Sequence, residues 1–444
     1  MVQHEPYLPT DQSIMTAPLQ RLKVLLALLL VAFASLPVRA QLNIEITGGG
    51  TNQIPIAVLP FANEAGLPQN VTQIVAADLE RSGRFKVLPI GAGNPIPTEM
   101  AHLKLDDLGK RGADVVLIGS ASPVSGGRFE VRFRLVDVPK REELGGLVFV
   151  APGNQLRPLA HRIADFAYEK LTGDKGVFST RIAYIVKQGT RHELHVADAD
   201  GFGATPILVS TEPIMSPSWS PDGARLAYVS FQQKKPVVFV QDVMQGRQTI
   251  VANARGSNSA PAWSPRGDQM AVVMTLTGNS QIYLVNPDGT GSPRRISNST
   301  GIDTEPAFSP DGSMIYFSSD RGGSPQIYRM PSAGGNAQRV TFEGSYNVSP
   351  RLTADGKFMV YLSRNDGRYQ ITSLDLATRP TQILTDGSRD ESPSAAPNGK
   401  MILYATDVGG RGVLSAVSID GRIKQRLSIE AADVREPAWG PFVK

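Results

Sequence analysis

Several short stretches of this sequence carry residue types that do chemistry elsewhere. Pro217-Ser-Trp-Ser-Pro-Asp-Gly223 sets hydroxyls, a carboxylate and an aromatic side by side, and variants return at Pro261, Pro306, Pro350, Pro393 and Pro437. A ring of such carboxylates could hold a metal ion or work as acid and base. The copies argue against it, because the Asp position reads Asp222, Arg266, Asp311, Asp355, Asn398 and finally Phe442. An arginine cannot ligate the cation its sister carboxylates would hold. The order hydroxyl, Pro, Asp, Gly fits a β-turn with a capping hydroxyl at its first position, Pro at its second and Gly at its fourth.

Other candidates fail on spacing. His192-Glu-Leu-His195 resembles a zinc motif, but the histidines are three apart and a strand would send them to opposite faces. Gly201-Phe-Gly-Ala-Thr-Pro206 lacks the closing glycine of a dinucleotide loop, and Gly322-Gly-Ser-Pro-Gln326 lacks the last glycine of a hydrolase elbow. The remaining histidines, His4, His102 and His161, are scattered, and there is no cysteine. The residues point to binding or scaffolding, with no catalytic residue, metal or cofactor expected.

The elements that carry the repeat follow from its period. Successive anchor prolines are 44, 45, 44, 43 and 44 residues apart. Short strands repeated at that period describe propeller blades. After the anchor strand a at Pro217, Ala224–Phe231, Pro236–Val243 and Arg247–Val251 read as strands b, c and d. The b pattern returns at Gln269–Thr275, Met314–Asp320, Phe358–Arg364 and Met401–Asp407. No b strand follows Pro437, whereas Arg181–Val186, His192–Ala197 and Thr205–Ser210 have b, c and d character with no anchor before them. The C-terminal strand is therefore expected to complete the first blade and close a six-bladed all-β propeller over 177–444.

Residues 54–176 read as an α/β domain. Ile54–Phe61 is an apolar run, and Val71, Ile74, Val75 and Leu79 follow at helical spacing behind a capping Asn70. Strands are expected over Arg84–Pro89, Ala113–Ser120, Arg128–Val138 and Gly146–Ala151. A last helix carries Leu156, Leu159, Ile163, Phe166 and Leu171 on one face, with Pro158 in its first turn.

Residues 1–40 read as an export signal: Arg21 and Lys23, an apolar run from Val24 to Leu36, and Val38-Arg39-Ala40 before a cut at Gln41. Met15 would give a leader of more usual length. Residues 41–53 form a polar, glycine-containing lead, read as a flexible partner-binding segment. Without residues 1–40 the chain holds 42 Lys+Arg against 39 Asp+Glu, with no basic run of five, so no nucleic-acid partner is expected. An exported chain without cysteine must stand on its core alone, which suits a large propeller.

In a propeller all a strands run the same way, so the triplets before the anchor prolines surround one channel mouth. They are Ile214-Met215-Ser216, Asn258-Ser259-Ala260, Asp303-Thr304-Glu305, Asn347-Val348-Ser349, Asp390-Glu391-Ser392 and Val434-Arg435-Glu436. Their diversity, against the uniformity of the turns at the other end, marks this mouth as the expected contact face.

Several motifs occur together in a telling order: IPIAVLPF, VAADLERSGRF, ADVVLIG, YEKLTG, RIAYIV, MSPSWSPDGARLAYVSF and PAWGPF. A chain carrying them resembles the TolB family, periplasmic components of Tol-Pal systems, over essentially its whole length beyond the signal. The resemblance implies a monomeric, non-enzymatic scaffold in the periplasm that supports outer-membrane integrity and constriction at cell division. It implies that the propeller mouth receives the lipoprotein Pal through Met215, Ser216, Asn258, Ala260, Thr304, Glu305 and Glu391. It also implies that Gln41, Leu42, Asn43, Ile44, Glu45 and Ile46 engage the C-terminal domain of TolA, and that colicins and other outer-membrane proteins are further partners. Ser257 departs from the family motif, standing where some relatives have histidine. The competing class is an extracytoplasmic propeller enzyme, a metal-dependent lyase or lactonase, and a third is a substrate receptor.

Overall fold

The computed structural model describes Met1 and residues 42–47, 52–91, 93–429 and 432–442. Residues 2–40, expected as an export signal, and Gln41 lie outside the described residues. Among the described residues no helix is long and apolar enough to cross a membrane.

The α/β domain is built on a five-stranded sheet in the order Phe85–Val87, Ile54–Val58, Val115–Val124, Arg128–Asp137, Glu142–Pro152. The first three strands are parallel, and the last three form an antiparallel meander. Helix α1 (Val71–Arg81) starts where the Asn70 side chain accepts from the Gln73 N–H at 2.7 Å. It buries Val71, Val75 and Leu79 against the sheet and against helix α3 (Leu156–Thr172), with Phe85, Leu117, Val131 and Phe133 in the same core. A short helix α2 (Leu105–Lys110), absent from the sequence expectations, lies between them in the chain and adds Leu108 to a second core on the opposite face. Helix α3 ends at Gly173 in the left-handed region (φ 77°), which a residue with a Cβ adopts only at a cost.

The propeller has six blades of antiparallel strands. Their inner strands are Asp433–Trp439 (blade 1), Ile214–Trp219, Asn258–Trp263, Asp303–Phe308, Asn347–Leu352 and Glu391–Ala395 (blade 6). The expected b strands stand within a residue or so of their places, at Arg225–Ser230, Met270–Met274, Met314–Ser319, Phe358–Asn365 and Met401–Val408. The second is buried at every position, as a strand with both faces covered by neighbouring blades must be.

Closure occurs as the repeat count requires. Asp433–Trp439 pairs with Arg181–Gln188, Val434 opposite Val186 and Trp439 opposite Ile182. Three of the six anchor prolines, Pro217, Pro261 and Pro437, have a tryptophan two residues on, and two of these tryptophans bond across the junction between blades. Trp219 Nε1 donates to the Ala438 carbonyl and Trp263 Nε1 to that of Ser218, both at 3.1 Å, across to the preceding blade.

The repeated turn is architecture. In blade 2 the Ser220 hydroxyl donates to Asp222 Oδ1 at 2.5 Å and accepts from the Arg225 N–H at 2.9 Å, while Asp222 accepts from the Ala224 N–H at 3.0 Å. Thr353 and Asp355 repeat the arrangement in blade 5. Where Arg266 replaces the Asp, the Ser264 hydroxyl turns instead to Asp268 at 2.7 Å. The turns also touch around the ring: a Cβ added at Gly223, Gly267 or Gly312 would stand 3.3, 3.5 or 3.5 Å from Pro441, Pro221 or Pro265 of the preceding turn.

The lead, expected as a flexible segment whose docked or free state the sequence left open, is docked. Leu42–Thr47 is a strand that pairs antiparallel with Lys424–Ile429 and gives blade 6 a fifth, outermost strand, Leu42 opposite Ile429 and Thr47 opposite Lys424. The physical reason is the edge. Strand d of blade 6 is six residues long, and its outward backbone groups need partners.

Candidate functional site

The channel mouth is set by a distortion repeated in every blade. The residue before each anchor proline, Ser216, Ala260, Glu305, Ser349, Ser392 or Glu436, has φ between 48° and 56°. Pairing of strand a with strand b shifts register there, for example between Met215 and Ser218. Proline disfavours the right-handed helical region for the residue before it, and the bulge takes the left-handed one. Left-handed backbone at residues with a Cβ costs of order 1–3 kcal/mol each and persists only where its surroundings impose it.

The bulge sorts each triplet into three roles that the sequence alone did not separate. The first residue is a buried bracket in blades 3–6. Asn258 is fully buried, its Oδ1 accepting from the Ala254 N–H at 2.9 Å and its Nδ2 donating to the carbonyls of Ala254, Gly256 and Pro236. Asp303 is equally buried, and Arg321 Nη2 donates to both of its carboxylate oxygens, at 2.7 and 2.8 Å. Asn347 Nδ2 donates to Gln326 Oε1 and Asp390 accepts from the Thr406 hydroxyl, while the buried Asn347 Oδ1 has no partner among the described residues. Asn258, expected as a partner contact, therefore has no polar side-chain atom to offer; it shapes the mouth from beneath.

The second residue forms the rim except in blade 5, where Val348 is buried. Met215 is 40% exposed, Thr304 is partly exposed, and Glu391 accepts from Arg435 Nη1 at 3.0 Å. The third residue, the left-handed one, lines the channel: Ser216, Ala260 and Glu305 are on its wall, with Ser349, Ser392 and Glu436. Met215 reaches the wall as well, whereas Thr304 and Glu391 stay outside it. The channel has a volume of about 530 Å³, and the anchor prolines 217, 261, 306, 393 and 437 also line it. Proline fits there because its missing N–H faces the channel.

The two wall glutamates tie blades together. Glu305 accepts from the Ser318 hydroxyl (2.7 Å), the Ser349 N–H (2.9 Å) and the Ser349 hydroxyl (2.5 Å). Glu436 does the same for blades 1 and 2 by accepting from the Ser216 N–H. Burial, helped by the negative charges of Glu391 and Glu305, pushes the Glu436 carboxyl up to about 7, against the Ser216 hydrogen bond and Arg435.

Of the expected TolA contacts, residues 42–46 are in the strand docked on blade 6 and Gln41 is outside the described residues. His192 and His195 share one strand, where His195 Nε2 lies 2.6 Å from Glu193. A second polar cluster, invisible in the sequence, joins the domains. His161 of α3 lies 2.6 Å from Asp78 of α1, Arg157 Nε is 3.3 Å from Asp198, and Arg157 and Arg81 also reach Asp200 of blade 1. Asp78, His161 and Asp200 are near enough to hold a metal ion. The two arginines among them give the cluster its counter-charges and make it an ion-pair network. Burial opposes protonation of His161, but Asp198, Asp78 and Asp200 outweigh it and push the imidazole up to about 9.

Comparison with known proteins agrees with this architecture. The model of the TolB amino-terminal domain matches residues 42–144, and that of the TolB β-propeller domain matches 168–443. The Tol-Pal system protein TolB of Aromatoleum aromaticum is 58% identical over 426 residues, 96% of this chain and 99% of that protein. That of Azoarcus sp. is 59% identical over 400 residues, covering 90% and 93%. The crystal structure of TolB from Acinetobacter baumannii superposes with a TM-score of 0.84 at 38% identity, over 90% of this chain and all of that one.

Proposed function

The chain belongs to the TolB family of Tol-Pal system proteins, and on that premise we propose that it is a non-enzymatic periplasmic scaffold with two separate partner surfaces. The mouth receives the lipoprotein Pal, and the N-terminal strand engages the C-terminal domain of TolA. Linking the two would serve outer-membrane integrity and constriction at division.

The observation that carries this reading is the left-handed residue at the mouth of every blade. Strain repeated six times shapes a mouth whose triplets differ from blade to blade, as a recognition face requires. The channel wall supports a binding role over the metal-dependent enzyme, because its two carboxylates, Glu305 and Glu436, are engaged by Ser349 and Ser216 at separate blade junctions and no histidine is among its described residues. Met215, Thr304 and Glu391 on the rim are the accessible side chains, with Ser216, Ala260 and Glu305 behind them.

The docked strand supports a coupled second surface. If TolA reads residues 42–46 after they leave Lys424–Ile429, TolA competes with blade 6 for one segment. If Pal changes that docking equilibrium, TolA must change Pal affinity by the same factor. The test is titration of the Pal periplasmic domain and the TolA C-terminal domain against the mature protein. Thr304→Arg and Met215→Arg should abolish Pal binding and spare TolA, and deletion of residues 41–52 should do the reverse. Pal binding unaffected by both arginine variants would refute the mouth assignment.

A further inference from the structure

The residue after the anchor proline is small in five blades, Ser218, Ala262, Ala307, Ser394 and Ala438, and is Arg351 in blade 5. All six line the channel, so a ring of small side chains is interrupted by one guanidinium below the mouth.

That guanidinium is under-used. Nη1 donates to the carbonyl of Pro350 at 2.8 Å, and no described carboxylate lies within 4.0 Å to form an ion pair with it. Arginine carries five N–H donors in a planar fork. Other arginines of this face show what satisfaction looks like: Arg321 grips Asp303 with two bonds and Arg435 bridges Glu391 and Asp433. Burial lowers the Arg351 pKa, and Glu305 only partly offsets this at a distance. The other charged residues of the wall, Glu305 and Glu436, face the junctions between blades, where Ser349 and Ser216 donate to them.

We propose that the channel is a carboxylate-binding site anchored by Arg351, taking an Asp or Glu side chain or a chain-terminal carboxylate that a partner inserts through the mouth. The fork offers two parallel donors, the geometry that matches a carboxylate. This rests on the reading of the mouth as a partner-binding face and names the chemistry that the face selects.

The sequence supplies its own reporter, since all three tryptophans, Trp219, Trp263 and Trp439, line this channel. Tryptophan emission of the mature chain would be followed on titration with acetyl-Gly-Gly-Asp-Gly-Gly-amide, with its Asn counterpart, and with acetyl-pentaglycine bearing a free carboxyl. The Asp peptide or the free-carboxyl peptide should give a saturable response that Arg351→Ser weakens by at least about tenfold, with Arg351→Lys in between. Which of the two responds identifies the source of the carboxylate. Serine is what blades 2 and 6 carry at this position, so an unchanged melt is expected for Arg351→Ser and separates lost binding from lost folding. An equal response to the Asn peptide, or an Arg351→Ser protein that binds as tightly as the parent, overturns the proposal. Silence of every peptide while the Pal domain still binds overturns it too and leaves the mouth assignment standing.

Discussion

Glu305 on blade 4 holds Ser349 on blade 5 through two bonds, from its N–H at 2.9 Å and from its hydroxyl at 2.5 Å. Both residues have left-handed backbone, and both precede an anchor proline. A side chain expected to read a partner is thus also a clasp between neighbouring blades. Glu305→Ala should destabilise the propeller by roughly 2–3 kcal/mol, because hydrogen bonds to a charged group are lost and the Ser349 N–H loses its acceptor. A double-mutant cycle with Ser349→Ala should give a coupling of about 1 kcal/mol by denaturant unfolding. Additive losses would mean that the contact contributes nothing of its own.

Glu436 makes the equivalent bond to Ser216, but its carboxyl is pushed up to about 7. The folded form therefore holds its proton more tightly than the unfolded chain, whose reference value is 4.5. This contribution is fully present below about pH 4.5 and is lost as pH rises to 7, at most about 3 kcal/mol. Glu436→Gln should remove that part of the pH dependence, raising the melting temperature relative to the parent more at pH 8 than at pH 5. Parallel curves for the two proteins across pH 4–8 would rule out the shift.

Much of this was legible because variation among copies of a repeat is readable within one sequence. The period located the b strands, and the missing first anchor located the closure. Other features depended on contacts between distant residues. Nothing local shows that Ser216 or Glu436 adopts left-handed backbone, since the ring and the following proline impose it. The family resemblance implied a partner contact at Asn258, yet its amide is spent on the loop before it. The network of Asp78, Arg81, Arg157, His161, Asp198 and Asp200 draws on two helices and a propeller loop, with no spacing to betray it. The docked strand did leave a signal: Leu42, Ile44 and Ile46 alternate with Asn43, Glu45 and Thr47, a period of two outweighed in the reading by the glycines that follow.

The interdomain network predicts a second pH window. His161 is 2% exposed and its imidazole is pushed up to about 9, so it stays charged where a free histidine, with a reference value of 6.5, is neutral. Its stabilisation is fully present below about pH 6.5 and disappears as pH rises through 9. His161→Asn should lower the melting temperature at pH 7 and converge on the parent near pH 10. A deficit that persists undiminished at pH 10 would assign the loss to packing rather than charge.

The last ten residues should matter more than any single contact, because they decide whether the ring has free edges. Removing residues 435–444 takes away most of the inner strand of blade 1 and the acceptor of Trp219 Nε1 at Ala438. It also removes the Gly440 N–H bond to the Arg181 carbonyl (2.7 Å) and Trp439, whose Nε1 donates to Thr180 at 2.9 Å. Ile182, Tyr184 and Ala183, all fully buried, would lose a neighbouring strand, and each large apolar side chain so exposed costs roughly 1.5–3 kcal/mol. At 2–4 °C per kcal/mol for a domain of this size, the truncated protein should melt lower by about 10 °C or more. Adding the missing strand back as a separate peptide should recover part of that loss, since blade 1 keeps the edge that it pairs with. An unchanged melting temperature after truncation would mean that the ring is held by its blade-to-blade contacts and not by its closing strand.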